Sequence, residues 1–167
     1  WWTNIAVAEA PGVRTLCPAD TALHGTALGI RQMRLPFLGS SPDAAHEVPG
    51  SDITYATHLQ RSQECFFRMA GGQRPWVAAL DEHGSGLVHA STARLRGRKV
   101  FYWGMHQGGR RWQEFLSVPG RAYLEIQAGL ARTQLECLPM PAQAQWTWTE
   151  AFGLLHADAG RVHAPDW

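Results

Sequence analysis

Tyr123-Leu124-Glu125-Ile126-Gln127 alternates polar and aliphatic residues one for one. In an extended strand, side chains two apart share a face. Tyr123, Glu125 and Gln127 therefore fall on one side, and Leu124 and Ile126 on the other, the pattern of a strand with one face on a core. Outward from it, strand signals recur at Trp2–Val7, Val13–Cys17, Cys65–Met69, Trp76–Leu80, Leu87–Thr92, Val100–Gly104, Thr133–Leu138 and Gln145–Glu150. Turn residues punctuate them, among them Pro11-Gly12, Gly71-Gly72, Asp81–Gly86 and Gly97. Short strands at such spacing argue for an all-β antiparallel sandwich in a single domain over residues 1–167. A short helix fits Arg111–Leu116. Residues 18–52, with Pro36, Gly39-Ser40-Ser41-Pro42-Asp43 and Pro49-Gly50, read as a long loop with at most one short helix near Gly29–Arg34.

The bulk numbers narrow the partners. Hydrophobic residues make up 45% of the 167, enough for a packed core, and charged residues only 17%. A net charge of +1 offers no field for a phosphate backbone or an anionic lipid surface, so neither nucleic acid nor membrane is an expected partner. Cys17, Cys65 and Cys137 are far apart, odd in number and without metal spacing, and read as buried thiols, with one disulfide plus a free thiol as the alternative. The eight histidines form no HExxH or Cys/His pattern, and His83-Gly84-Ser85-Gly86 misses the nucleophile elbow. Gly108-Gly109-Arg110-Arg111 lacks the signature of a phosphate loop and reads as a glycine turn whose arginines pair with Glu114 or line a cleft. No metal or cofactor is implied.

Eight tryptophans are the compositional excess: Trp1, Trp2, Trp76, Trp103, Trp112, Trp146, Trp148 and Trp167. Indoles serve cores, and they also make flat faces on which sugar C–H groups stack. About two-thirds are expected in the core or at element ends and the rest at a ligand surface. Glu125, flanked on one strand face by a phenol and an amide, suits a polyhydroxyl ligand, since the carboxylate accepts from hydroxyls and the amide both donates and accepts. An ordinary solvated strand face is the competing reading. The candidate ring wall is Trp103, Trp112 or Trp2, and the candidate polar groups are Asn4, Arg74, His89 and Arg111, beside Tyr123 and Gln127.

Trp1–Val7, Gly97–Gly104, Arg111–Ser117 and Tyr123–Ala131 resemble the bacterial family of domain of unknown function 5107, which is grouped with the galactose-mutarotase-like supersandwiches. The resemblance runs from Trp1 to about Trp148. It implies an antiparallel β supersandwich with a sugar cleft on one concave face. Leu124-Glu125-Ile126-Gln127 is similar to the string that carries the general base of aldose epimerases, which would make Glu125 the catalytic base. The epimerases' acid, a histidine shortly after an Asn-containing strand, has no counterpart after Asn4; His58 and His89 are the substitutes at hand. A complete supersandwich is longer than this chain, so the expectation is its later portion, with open sheet edges near Trp1–Val7 or Gln145–Glu150 that invite a homo-oligomer.

Three functions follow: an accessory carbohydrate-binding domain, a sugar-active enzyme with Glu125 as base, and a protein–protein scaffold that has kept the fold. Acid–base work on a glycosidic bond usually takes two carboxylates, and Glu114, Glu136 and Glu150 are the candidates for a second beside Glu125.

Overall fold

The computed structural model describes residues 1–26, 29–37 and 50–166. It is 43% strand and 11% helix, an all-β architecture of two antiparallel sheets. In chain order the strands are β1 (Trp2–Ala8), β2 (Arg14–Leu16), β3 (Ala19–Thr26), β4 (Gly29–Arg34), β5 (Gln63–Met69), β6 (Trp76–Leu80), β7 (Ser85–Ser91), β8 (Gly97–Tyr102), β9 (Tyr123–Gly129) and β10 (Glu150–His156). Helix α1 (Gln107–Leu116) joins β8 to β9, and α2 (Ala159–Val162) follows β10. Six strands form one sheet in the order β1-β9-β8-β5-β3-β4, and four form the other in the order β10-β7-β6-β2. No helix among the described residues is long and apolar enough to cross a membrane.

The sheets meet through the aliphatic sides of their strands. Leu124 and Ile126 of β9, Val100 and Tyr102 of β8, and Cys65 and Phe67 of β5 pack with Val77 and Ala79 of β6. On the back of the smaller sheet, Ala78 and Leu80 pack against Val162 of α2, which is why Trp76–Leu80 is apolar without alternation. Arg14 of β2 is fully buried and ties the end of the chain to the sheet. It donates to the carbonyls of Val162 and Ala164 at 2.7 and 2.8 Å and to Thr54 Oγ1 at 3.0 Å, and lies 3.3 Å from Asp52.

The structure corrects four readings of the sequence. Ala19–Arg34 is a β3–β4 hairpin, and the helix expected near Gly29–Arg34 is β4; the tract Gly39–Asp43 lies outside the described residues. Thr133–Leu138 is not a strand: Thr133 Oγ1 accepts from the Leu135 N–H at 3.2 Å and Glu136 Oε2 from the Arg132 N–H at 3.2 Å, so local side chains take the bonds a ladder would have used. Gln145–Thr149 carries no ladder either. Trp146 and Trp148 pack over Leu95, Ala128 and Leu130, and the strand starts at Glu150. Gly108–Arg111 lies in α1, where Arg110 pairs with Glu9 at 2.7 Å and not with Glu114.

None of the seven described tryptophans is fully buried, and Cys137 is exposed while Cys17 and Cys65 are buried. Among the described residues β1 and β10 are edge strands, each hydrogen-bonded to one neighbouring strand.

Candidate functional site

Antiparallel register spreads the polar side of β9 into rows across the outer face of the six-stranded sheet. Trp2 pairs with Gly129 and Gly129 with Gly97; Asn4 with Gln127 and Gln127 with Lys99; Ala6 with Glu125, Glu125 with Phe101 and Phe101 with Glu64. Tyr123, Glu125 and Gln127 thus share one face with Trp2, Asn4 and Trp103, as the alternation predicts.

The carboxylate is held from two sides. Glu125 Oε2 accepts from Asn4 Nδ2 at 2.7 Å and from Gln127 Nε2 at 3.0 Å. Gln127 Oε1 accepts from Gln134 Nε2 at 2.9 Å, and Gln134 Oε1 accepts from Lys99 Nζ at 2.6 Å. Lys99 also meets Glu64 Oε2 at 2.7 Å and sits 5.2 and 5.5 Å from the centres of the Phe66 and Phe101 rings. Lys99 is 4% exposed and Gln127 7%, so the middle of this face is closed over by its own network. Both polar atoms of the Gln127 amide are engaged within this network, one of them on Glu125. Among the described residues, Glu125 Oε1 takes no protein hydrogen bond. Glu125 borders a depression of about 510 Å³ with Asn4, Ala6, Leu116, Arg121 and Tyr123.

Beside it stand the rings. Tyr123 meets Trp103 edge-on at 5.9 Å, and Trp103 meets Phe101 at 4.9 Å. Partial burial, with the Glu125 charge adding to it, pushes the Tyr123 phenol above its ordinary value, so it is a neutral hydroxyl donor. Trp103, Phe101 and Trp112 border a second depression of about 360 Å³ with Gln60, Arg61 and His106. Helix α1 is pinned alongside: Gln113 Nε2 donates to the Tyr123 carbonyl at 2.8 Å, and Gly109 lies so close to the Trp103 carbonyl that a β-carbon there would overlap it.

Three expected residues stand elsewhere. Arg74 is exposed in the loop between β5 and β6. Arg111 is exposed on α1, two residues from each of Gly109 and Gln113 and so on the far side of the helix. His89 lies on the inner side of β7, 2% exposed, with Nε2 at 3.0 Å from Glu150 Oε2 and Phe152 at 4.8 Å. His58, the other substitute acid, bonds the Asp52 carbonyl at 2.9 Å and lies tilted against the Tyr55 ring at 5.0 Å, in the cluster around Arg14. None of the three carboxylates proposed as a second catalytic group converges on Glu125: Glu114 is exposed on α1, Glu136 caps Arg132 and Glu150 belongs to the other sheet. The carboxylate that shares its row is Glu64, two strands away and hence roughly 10 Å at the backbone. Sequence reasoning missed Glu64, because pairing through β8 and not local pattern brings it there.

His89 carries a pH dependence of its own. Burial first, and the Arg98 charge second, hold its imidazole below the ordinary 6.5 against the pull of Glu150. The unfolded chain therefore binds the proton more readily. The stability owed to neutral His89 is complete above about pH 6.5 and is lost as pH falls through the depressed folded value. Urea unfolding across this range should show a shallower loss in His89→Gln than in the parent. Equal slopes would mean that His89 does not contribute to acid sensitivity.

No family model and no curated protein matches the chain. Among solved structures it is similar to a TPR-domain containing protein from Parabacteroides distasonis ATCC 8503, with a TM-score of 0.59 and 19% identity over 92% of this chain. At that identity the likeness shows the fold alone, and the match spans 23% of the other chain.

Proposed function

We propose that this domain binds carbohydrate on the outer face of its six-stranded sheet, without turning it over. The observation that carries the reading is Glu125: one carboxylate oxygen is fixed by Asn4 and Gln127, and the other is left to a depression walled by Tyr123. A preset acceptor beside a ring is what a sugar ring with its hydroxyls requires. Binding is favoured over catalysis because the second carboxylate in the row, Glu64, is engaged by Lys99 at 2.7 Å, whereas a general acid must hold a proton to give. The resemblance to the mutarotase-like group supports the same sugar chemistry.

The test is Glu125→Gln, read in binding and in turnover. A glycan array on the parent identifies the sugar, and calorimetry on the variant should then show affinity weaker by about 1–3 kcal/mol, the worth of a hydrogen bond to a charged acceptor. No anomer interconversion or glycoside cleavage should be measurable in either protein. Turnover in the parent that collapses in Glu125→Gln while binding survives would replace this reading with the enzymatic one, Glu125 serving as base.

A further inference from the structure

The two depressions are neighbours, and their walls repeat. Tyr123 at the start of β9 borders one and Trp103, just past the end of the adjacent β8, borders the other, with ring centres 5.9 Å apart. Leu116 borders the first and Trp112 the second, four residues apart and therefore one helical turn along the same side of α1. The middle of the face is shut by Lys99, Gln127 and Gln134, and Trp2 lies over Gly97 and Gly129. What stays open is the pair of depressions beside α1, one on each side of the Tyr123–Trp103 ring contact, each with a ring and hydrogen-bonding groups. Glu125 and Arg121 serve the first, and Gln60, Arg61 and His106 the second.

Resting on the carbohydrate reading, we propose that the ligand is a glycan chain of at least two linked sugar units laid along α1. One unit sits against Tyr123 and Glu125, and the next against Trp103 and Trp112. A lone sugar would leave the second depression wet. A linked pair gains its contacts without paying again the freedom lost on association, because the first unit has already brought the second into place.

The experiment is a calorimetric length series on the intact protein: mono-, di- and trisaccharides of glucose, galactose, mannose and N-acetylglucosamine, tested on the parent, Trp112→Ala and Tyr123→Ala. Trp112 is 56% exposed, so its removal should leave the fold intact, which circular dichroism checks. For the sugar that binds, the disaccharide should be at least tenfold tighter than the monosaccharide. Trp112→Ala should abolish that gain and leave monosaccharide affinity unchanged, while Tyr123→Ala should weaken both. Affinities within twofold for one and two units, or a gain that survives Trp112→Ala, would overturn the two-unit site and leave single-sugar binding standing. Absence of binding by every sugar in the series and on the array would overturn the carbohydrate reading, and this inference with it.

Discussion

Arg14→Ala should destabilise the domain by about 3–5 kcal/mol, the range for removing one partner of a buried ion pair. The guanidinium is 1% exposed and serves four acceptors at once: two carbonyls near the end of the chain, Thr54 and Asp52. Truncation strands Asp52 without its counter-charge and leaves the Val162 and Ala164 carbonyls without their donor. Arg14→Lys keeps the charge but not the planar fork, and one ammonium cannot reach acceptors arranged around a guanidinium, so it should recover only part of the loss. Urea denaturation of the three proteins measures this. With total stabilities of about 5–15 kcal/mol typical of domains, the alanine variant should show a greatly lowered midpoint. A loss below about 1 kcal/mol would mean that the end of the chain is held by something other than Arg14.

The second large effect is expected where Trp2 crosses the sheet. A β-carbon at Gly97 would run into the Ala131 carbonyl oxygen and the rim of the Trp2 indole; the nearest atoms to one at Gly129 would all belong to the indole. Gly97→Ala should therefore cost about 3 kcal/mol, the upper end of ordinary overpacking, since one of its obstacles is backbone that cannot rotate away. Gly129→Ala should lose most of its cost once Trp2 is shortened to alanine, while more of the cost of Gly97→Ala should persist. A double-mutant cycle reads the difference directly as a coupling energy. Equal coupling of both glycines to Trp2 would show that the indole, and not the Ala131 backbone, sets the limit at Gly97.

Legibility in the sequence followed burial. β9 was plain because its two faces meet different surroundings: Leu124 and Ile126 enter the inter-sheet core while Tyr123 and Glu125 face outward. The β3–β4 hairpin was illegible because its pattern is blurred. Leu23 lies on the outer face and His24 on the core side, and Ile30 and Met33 stand three apart as in a helix although only Met33 is buried. Strand pairing fixes these residues, and pairing with β5 cannot be read locally. Gln145–Glu150 misled in the opposite way: the alternation of Trp146 and Trp148 records a real packing face over Leu95 and Leu130, but no strand lies alongside. At the site, the face and the ring Trp103 were legible from period two. The closure of that face by Lys99 and Gln134, the row partner Glu64 and the inward turn of His89 all depend on contacts across more than thirty residues of chain.

Strand β10 clings by a single ladder to β7, and the residues it points toward the other sheet are poorly covered, Leu154 being 92% exposed. Such a strand is the natural place for local opening. Its far end is nevertheless fastened, because Arg14 holds the Val162 and Ala164 carbonyls and His163 bonds Tyr55 and the Asp81 carbonyl at 2.8 and 2.9 Å. When β10 detaches, it becomes a bow tethered at both ends and not a loose tail. The chain entropy released by opening is then only that of a closed loop. A protease cutting it would leave Val162 and Ala164 attached through the Arg14 clasp.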